Sequence, residues 1–205
     1  MFRFGITMRE TEAVGYHEPR DAIAQDWGNY MLATFPTDMW LAIPNIGSKV
    51  IDYFKAWNLN VLVLSGGDSI GKTINRDHTE LHLLKYCLDN NIPVIGVCRG
   101  LQLIHSYFGG KIKLGNEEFI IEHRAHDHEI YLDGQSYITN SYHLNHIQEN
   151  TLNNNFKVIA RCSVFNSIEA FQGDNIFAVM WHPERKMKDN TWSNNLIFSF
   201  LKKYE

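Results

Sequence analysis

The sequence predicts an α/β fold with an open, mostly parallel sheet and helices on both of its faces. The first observation is a pair of short, continuous apolar runs, Val61–Leu64 and Pro93–Val97, which suit parallel strands buried on both faces. The second is that longer segments with apolar residues at helical spacing, such as Asp77–Asp89, lie between these runs. Because ligands bind beyond the carboxyl ends of the strands in such a sheet, residues that follow strands are the candidate site residues.

The individual elements follow from the same periodicities along the chain. In the first half, predicted strands at Phe2–Thr7, Trp40–Ile43, Val61–Leu64 and Pro93–Val97 alternate with predicted helices at Asp21–Phe35, Ile46–Trp57, Asp77–Asp89 and Leu101–Tyr107. In the second half, shorter strands precede a closing helix: Ile130–Leu132, Tyr137–Thr139, Val158–Ala160, Ser167–Phe171 and Ile176–Trp181, then Asn190–Lys203. No repeat or linker interrupts this order, so residues 1–205 are expected to form one domain.

Composition and charge exclude several classes of function. The chain has 205 residues and a net charge of -4, so it lacks the basic excess that nucleic acids or anionic membranes select. No apolar run reaches the roughly 18–20 residues that span a bilayer, and the N-terminus becomes polar too early for a signal peptide. Three cysteines cannot all pair, and their spacing fits no zinc motif, so Cys87 and Cys162 are expected in the core. We therefore expect a reduced, cytoplasmic protein that acts on a small molecule; its oligomeric state stays open.

Cys98 stands where a predicted buried strand runs directly into a predicted helix, in the segment GVCRGLQ (residues 96–102). A tight strand-to-helix turn projects a nucleophilic side chain out of the fold, as in a nucleophile elbow. Gly100 allows the backbone after the turn to pack closely, and the helix N-terminus favours the reactive thiolate. A cysteine between a strand and a helix is often only a small core residue, so this pattern needs a second one beside it.

The second pattern is WHPE (residues 181–184), which follows another apolar strand. That strand would deliver His182 to the same edge of the sheet as Cys98, and Pro183 fixes the direction of the chain. Glu184 could hold the imidazole in one tautomer while His182 accepts the proton of the cysteine. Two such segments, each ending a predicted strand, indicate a cysteine hydrolase.

These two segments resemble the class I glutamine amidotransferase-like proteins, specifically the branch that hydrolyses γ-glutamyl amides. Weaker resemblances lie at residues 64–68 (LSGGD), 76–77, 140–143 (NSYH) and 168–170, so the likeness covers nearly the whole chain. It implies a flavodoxin-like three-layer sandwich and a reaction that needs neither cofactor nor metal. It also implies a catalytic triad of Cys98, His182 and Glu184, oxyanion-hole N–H groups from Gly67 and Arg99, and substrate-binding residues Gly66, Gln102, Tyr142 and His143.

The amine that such a hydrolase would release stays open. The full-length resemblance favours γ-glutamyl-CDP-amidate, a substrate of capsular phosphoramidate synthesis. The alternatives are γ-glutamyl-4-aminobutyrate of polyamine catabolism and glutamine, in a glutaminase subunit that serves a synthase partner. A diphosphate needs cationic donors, and Arg9, Arg20 and Lys72 are candidates because all three are expected at the carboxyl edge of the sheet. Asn145 stands where this branch usually has Gln, which affects the expected substrate rather than the reaction.

One alternative arises from Gly66–Thr73, which fits the phosphate-loop pattern G-x-x-x-x-G-K-[ST] and follows a predicted strand. That pattern would indicate a nucleotide-binding protein. No later apolar strand ends in an aspartate that could hold magnesium, however, and the resemblance assigns the same glycines to the oxyanion hole.

A final candidate is a group of metal-ligand side chains: His123, His126, Asp127 and His128. Such groups also arise by chance in a chain with ten histidines, and the reaction implied by the resemblance uses no metal. We therefore expect no metal at this segment.

Overall fold

The structure is a computed structural model that describes residues 1–205. The strands are β1 (Arg3–Thr7), β2 (Arg9–Glu12), β3 (Pro19–Ala22), β4 (Met39–Ile43), β5 (Val61–Leu64), β6 (Val94–Val97), β7 (Ile112–Leu114), β8 (Arg124–Leu132), β9 (Gln135–Tyr142), β10 (Asn145–Ile147), β11 (Lys157–Cys162), β12 (Ile168–Gln172) and β13 (Ile176–Val179). The helices are α1 (Gln25–Thr34), α2 (Val50–Ala56), α3 (Ile74–Asp89), α4 (Arg99–Tyr107), α5 (Glu117–His123) and α6 (Thr191–Leu201). None of these helices is long and apolar enough to span a lipid bilayer.

Nine strands form one sheet in the order β4-β1-β5-β6-β13-β12-β11-β8-β9. The first five are parallel neighbours, and the remaining strands pair antiparallel. Strands β5, β6 and β13 are entirely buried, which explains why their sequences are continuous apolar runs. The predicted fold class, an open and mostly parallel sheet, is therefore confirmed.

Helices cover both faces of the sheet and form a separate core on each side. One core of 23 buried residues packs α1 and α6 against the sheet, through residues such as Met31 and Phe200. The other, of 20 buried residues, packs α2, α3 and α4, through residues such as Phe54, Leu84 and Ile104. This three-layer arrangement exposes the carboxyl edge of β5, β6 and β13, where the candidate site residues follow the strands.

The segment after β1 differs from the prediction. The helix expected at Asp21–Phe35 begins only at Gln25, because Pro19–Ala22 pairs with Arg9–Glu12 in an antiparallel hairpin. The Asp21 carboxylate accepts hydrogen bonds from the Asn45 side chain at 2.6 Å and from its backbone N–H at 2.8 Å. This hairpin is polar and pairs only with itself, so it left no apolar period in the sequence.

The antiparallel half is also more extensive than the sequence indicates. The two strands predicted at Ile130–Leu132 and Tyr137–Thr139 are parts of the longer β8–β9 hairpin, in which Arg124–Asp127 are exposed and carry no apolar alternation. Helix α5 and the small β7–β10 ladder were not predicted. Asn116 begins α5, since its side chain accepts a hydrogen bond from the Phe119 N–H at 2.9 Å.

Candidate active site

Cys98 lies at the corner between β6 and α4 with backbone angles φ 51° and ψ -100°. A non-glycine residue rarely adopts a positive φ, so the surrounding packing must hold this strained geometry. The Cys98 N–H donates to the Val179 carbonyl oxygen of β13 at 2.8 Å. Gly100 is required two residues later, because a Cβ at that position would overlap the carbonyl oxygen of Leu64. The chain therefore forms the strained strand-to-helix turn that the sequence predicted.

His182 follows the neighbouring strand β13 and is clamped through its backbone. Its N–H donates to Asn140 Oδ1 at 2.9 Å, and Asn140 Nδ2 donates back to the His182 carbonyl oxygen at 2.9 Å. The His182 ring is buried, and its Nδ1 lies 2.7 Å from Glu184 Oε1. With Nδ1–H donated to the carboxylate, Nε2 is the nitrogen left to exchange a proton with a nucleophile.

The electrostatics of this pair favour a charged state. Burial raises the pKa of the Cys98 thiol, but the positive charges of His182 and His143 outweigh it, so that pKa is lowered. Burial likewise lowers the pKa of His182, but the Cys98 thiolate and the Glu184 carboxylate raise it to about 9. Each charge stabilises the other, so a thiolate–imidazolium pair is the favoured form near neutral pH.

The glycine turn, Ser65–Gly67, follows β5 beside this pair. A Cβ on Gly66 would lie 2.5 Å from His182 Cε1, so only glycine leaves room for the ring. Gly67 has φ 148°, a conformation that favours glycine, and its N–H donates to no backbone carbonyl. The buried Arg76 side chain stabilises the glycine turn: its Nη2 donates to the Ser65 carbonyl oxygen at 2.8 Å and to the Gly66 carbonyl oxygen at 3.1 Å.

Arg99 begins helix α4, so its N–H has no intrahelical acceptor. This N–H belongs to the residue that follows Cys98, and the Gly67 N–H lies on the turn that packs against His182. Their assignment as oxyanion donors remains a prediction that is compatible with this placement.

A buried ion network supports both the glycine turn and the start of α4, and sequence reasoning missed it. We call it the Arg–acid network: Arg76, Asp77, Glu80 and Arg99. Arg76 Nε lies 2.9 Å from Glu80 Oε1, and the Arg99 guanidinium bonds both Glu80 and Asp77. Thr7 at the end of β1 donates to Glu80 Oε1 at 2.7 Å. Only the i, i+4 spacing of Arg76 and Glu80 on one helix could have suggested part of it.

The residues expected to hold the glutamyl group lie around the pair at different depths. Tyr142 is exposed and meets the His182 ring edge-on at a centroid distance of 5.6 Å. The Arg185 guanidinium stacks 4.1 Å above the Tyr142 ring, a contact that the sequence did not suggest. Gln102 is buried, and its side-chain nitrogen lies 3.9 Å from the Met180 sulfur.

His143 is buried and turned toward another carboxylate, with Nε2 3.5 Å from Glu169 Oε2. Its charge still reaches Cys98, because each of the two groups shifts the pKa of the other. A role for His143 in substrate binding therefore stays a prediction.

We call Cys98 and His182 the reactive pair. Of the three cationic residues expected to bind a phosphate group, only Arg9 lies beside it. It lines a cavity of about 10 Å³ together with Gly66, His182 and Glu184. Arg20 is exposed on the β2–β3 hairpin, where Nε lies 2.5 Å from Glu18 Oε1 and Nη2 donates to the Tyr16 hydroxyl at 2.7 Å.

Lys72 is also exposed, and its Nζ lies 3.3 Å from Asp68 Oδ1 within its own loop. The loop that matches the phosphate-loop pattern around Lys72 is bonded to the side chain of Asp77. The Gly71 N–H, which a phosphate would engage, donates instead to Asp77 Oδ2 at 2.6 Å. A carboxylate of the chain therefore occupies part of the loop.

The other metal-ligand candidates separate into two groups. His126 and Asp127 are exposed on β8, whereas His123 and His128 are buried next to His143 and Glu169. Cys87 and Cys162 are buried, as expected.

A family model, glutamine amidotransferase class-I, matches residues 41–203 of the chain. The chain belongs to the class-I glutamine amidotransferase family. The fold, the family and the enzyme class predicted from the sequence are thereby confirmed: the protein is a hydrolase of glutamine amidotransferase type. The family match includes the Gly66–Thr73 loop, whose Gly71 N–H is already bonded to Asp77, so neither finding supports the phosphate-loop alternative.

Three individual proteins of known name or structure are similar to this chain. The chain is 31% identical over 193 residues to the gamma-glutamyl-CDP-amidate hydrolase of Campylobacter jejuni, covering 89% of this chain and 90% of that protein. It is also 31% identical over 160 residues to one of the subunits of the glutamine-hydrolysing GMP synthase of Pyrococcus abyssi, covering 71% and 81%. A solved glutamine amidotransferase from Thermotoga maritima has the same fold, with a TM-score of 0.64 at 11% identity over 99% of this chain and 85% of that one.

Proposed function

We propose that this protein hydrolyses γ-glutamyl-CDP-amidate to L-glutamate and the free nucleotide phosphoramidate, with Cys98, His182 and Glu184 as its catalytic triad. The observation that carries this proposal is the 31% identity to a hydrolase of that name over about nine tenths of both chains. We extend the proposal to residues 1–205 acting as one cytoplasmic hydrolase domain in the synthesis of capsular polysaccharide phosphoramidate.

The first half of the reaction forms a glutamyl thioester. The Cys98 thiolate attacks the γ-carbonyl carbon, and the carbonyl electron pair moves to its oxygen, which accepts hydrogen bonds from the Gly67 and Arg99 N–H groups. The tetrahedral intermediate then expels the amide nitrogen as the C–N bond breaks. His182, protonated at Nε2 in the ion pair, delivers the proton to that nitrogen.

The second half regenerates the enzyme. Neutral His182 removes a proton from water, which attacks the thioester carbonyl carbon, and the C–S bond breaks to release glutamate and the Cys98 thiolate. The proton taken from water stays on His182, so the thiolate–imidazolium pair is restored. Glu184 keeps the imidazole in one tautomer and stabilises its positive charge in both halves.

Arg9 would bind the anionic far end of the substrate. Arg9 lines the same small cavity as Gly66 and His182, which supports its guanidinium as a donor to a phosphoramidate leaving group. A charge-assisted hydrogen bond of this kind contributes roughly 1.5–3 kcal/mol. Loss of Arg9 should therefore lower kcat/KM for the nucleotide substrate about ten- to a hundredfold.

The experiment compares glutamate release from γ-glutamyl-CDP-amidate, γ-glutamyl-4-aminobutyrate and glutamine by the wild type, Arg9→Ala and Arg20→Ala. Arg20 is the matched control, since it is an arginine of the same hairpin that is already bonded to Glu18 and Tyr16. We expect the nucleotide to be preferred, Arg9→Ala to lower its kcat/KM selectively, and Arg20→Ala to change it less than about threefold. Cys98→Ala should abolish release from every substrate while the protein stays folded.

Two results would count against the proposal. A clear preference for γ-glutamyl-4-aminobutyrate would reject the nucleotide, and near-wild-type turnover by Cys98→Ala would reject the mechanism itself. Equal effects of Arg9→Ala on all three substrates would keep the reaction but remove Arg9 from recognition of the leaving group.

A second candidate is a glutaminase subunit that passes ammonia to a synthase, supported by the similarity to the Pyrococcus GMP synthase chain. It predicts that glutamine is the preferred substrate and that glutamine hydrolysis accelerates when the partner is added. Efficient hydrolysis of the nucleotide substrate by the isolated chain would reject it.

A further inference from the structure

A buried group of three imidazoles surrounds one carboxylate in the antiparallel half of the molecule. We call it the His–Glu cluster: His123, His128, His143 and Glu169. All four residues are at most 8% exposed. The Nε2 atoms of His123, His128 and His143 lie 3.9, 3.8 and 3.5 Å from the nearest Glu169 oxygen. These separations are longer than good hydrogen bonds, although all three imidazoles are arranged around the one carboxylate.

Two of the imidazoles are oriented as metal ligands usually are. Nδ1 of His123 lies 2.9 Å from the Phe119 carbonyl oxygen, and Nδ1 of His143 lies 2.9 Å from that of Asn145. A carbonyl oxygen only accepts, so in both rings Nδ1 carries the hydrogen and a neutral ring has its lone pair on Nε2. A backbone carbonyl that orients a ring in this way is the common outer contact of a metal-bound histidine.

The inward-facing atoms have no partner within the chain. The unpartnered buried atoms are Nε2 of His123, both ring nitrogens of His128, Nε2 of His143 and Oε2 of Glu169. Buried polar atoms are almost always hydrogen-bonded in native proteins, and each unpartnered one is costly. Five such atoms in one place indicate that something other than the chain satisfies them.

We propose that the His–Glu cluster binds one divalent transition-metal ion, with zinc the best match to its ligands. Two ligands on a tetrahedral zinc ion at about 2.0–2.1 Å are about 3.4 Å apart. The separations of 3.5–3.9 Å between the imidazoles and Glu169 therefore need only a small contraction. Ligand atoms of His123, His143 and Glu169 already lie within 4.8 Å of one another, whereas the ring centroids of His128 and His143 are 6.4 Å apart, so His128 must move toward the ion to join them. Imidazole and carboxylate suit zinc, whereas magnesium and calcium prefer all-oxygen sites. The Cys162 thiol lies within 4.8 Å of ligand atoms of His123 and His128, and adds a soft donor beside the cluster.

The ion would connect four separate parts of the chain. His123 ends α5, His128 lies in β8, His143 directly follows β9, and Glu169 lies in β12. Strand β9 also carries Asn140, which clamps the backbone of His182. The metal would therefore brace the antiparallel half against the reactive pair. This inference is independent of the proposed function, and it replaces the expectation that the histidines of this segment bind no metal.

The test measures metal bound by the tag-free protein. Purified protein is stripped with a chelator, titrated with Zn²⁺ or Co²⁺, and analysed for metal content and for the thermal midpoint Tm. Wild type should bind one equivalent and gain Tm with metal. His128→Gln should lose affinity by more than about the ten- to hundredfold that removing an outer-shell partner costs. His126→Gln is the matched control, because His126 is exposed two residues away on the same strand, and it should bind like wild type.

The reactive pair could also attract zinc, so the titration is repeated in Cys98→Ala. One equivalent should remain in this variant. Retention of metal by His128→Gln together with its loss in Cys98→Ala would assign the metal to the reactive pair and overturn the proposal. No stoichiometric binding by wild type would also overturn it, and would make the cluster a metal-free group of ion pairs around Glu169.

A structural readout covers the case in which His128→Gln does not fold. X-ray absorption of zinc-loaded Cys98→Ala counts the imidazole ligands directly. Three imidazoles at about 2.0–2.1 Å are expected, and fewer than two would reject the His–Glu cluster as the site.

Discussion

Two buried groups of charged and titratable side chains flank the reactive pair, and they are satisfied in different ways. In the Arg–acid network, the Glu80 carboxylate bonds Arg76, Arg99 and Thr7, and Asp77 bonds Arg99 and the Gly71 N–H. The His–Glu cluster instead leaves five polar atoms unpartnered around Glu169. Both groups are almost fully enclosed, so exposure to solvent does not account for the difference.

The difference shows what each group can do. Guanidinium groups carry several donors in a rigid plane and match carboxylates closely, so all four carboxylate oxygens of the Arg–acid network are bonded, while Arg76 Nη1 and Arg99 Nε have no partner. The network serves as a fixed support for the glycine turn and α4. Imidazoles bring one lone pair each, and burial lowers the pKa of His123 and His128, so the His–Glu cluster gains protons only as the solution becomes acidic. The support of the parallel half is thus independent of added ions, whereas that of the antiparallel half would depend on the proposed metal.

The largest effect is expected from breaking the Arg–acid network. Arg99→Met keeps the backbone N–H but leaves the Asp77 and Glu80 carboxylates without their guanidinium partner. Breaking a buried pair on one side costs about 3–5 kcal/mol in the free energy of unfolding. Arg161→Met is the matched control, since Arg161 Nη1 bonds Glu149 at 3.0 Å on the surface and such pairs contribute about 0–1 kcal/mol. Urea unfolding measures both; a loss below about 1 kcal/mol for Arg99→Met would show that the network is dispensable.

The next effect is on acid stability and arises in the His–Glu cluster. Burial lowers the pKa of His128 to about 4, against an ordinary value of about 6.5. Between these pH values the unfolded chain binds a proton at His128 that the folded chain does not, so stability falls as the pH falls from 6.5 to 4. The contribution is at most about 3 kcal/mol in metal-free protein. His128→Gln should flatten this part of the pH profile of urea unfolding, and His126→Gln should leave it unchanged. Identical slopes in wild type and His128→Gln would remove His128 from the acid response.

The sequence predicted that Cys98 and His182 would lie at the same edge of the sheet, because the signals for this placement are local. Cys98 and His182 each follow directly on an apolar run, and parallel strands bring such positions to one edge whatever the remaining chain does. The phosphate-loop pattern was misleading for the opposite reason, since the use of the loop N–H groups depends on Asp77 of the next helix.

The His–Glu cluster could not be predicted from spacing. Its residues come from four segments between positions 123 and 169, and only their packing selects His123 and His128 over the neighbouring His126. The position of Arg9 depends likewise on a polar hairpin without an apolar period. Long-range convergence of polar side chains leaves no periodic signal, which is why the sequence recovered the reactive pair and not the groups that support it.

The smallest effect is expected at the reactive pair, which lies between the two groups. The Cys98 thiolate and the Glu184 carboxylate raise the pKa of His182 to about 9, although burial opposes them. In the proposed mechanism the leaving nitrogen takes its proton from His182, so kcat/KM should fall as the pH rises through about 9 and His182 loses that proton. Glu184→Gln keeps a hydrogen-bond acceptor but removes the negative charge, so the pKa of His182 drops and the alkaline limb should move down by about one pH unit. Glu149→Gln, at an exposed carboxylate far from the pair, is the control and should leave the limb in place. A pH–rate profile of the two variants decides the matter: an unmoved alkaline limb in Glu184→Gln would mean that the limb reports another group, and that Glu184 orients His182 without tuning its charge.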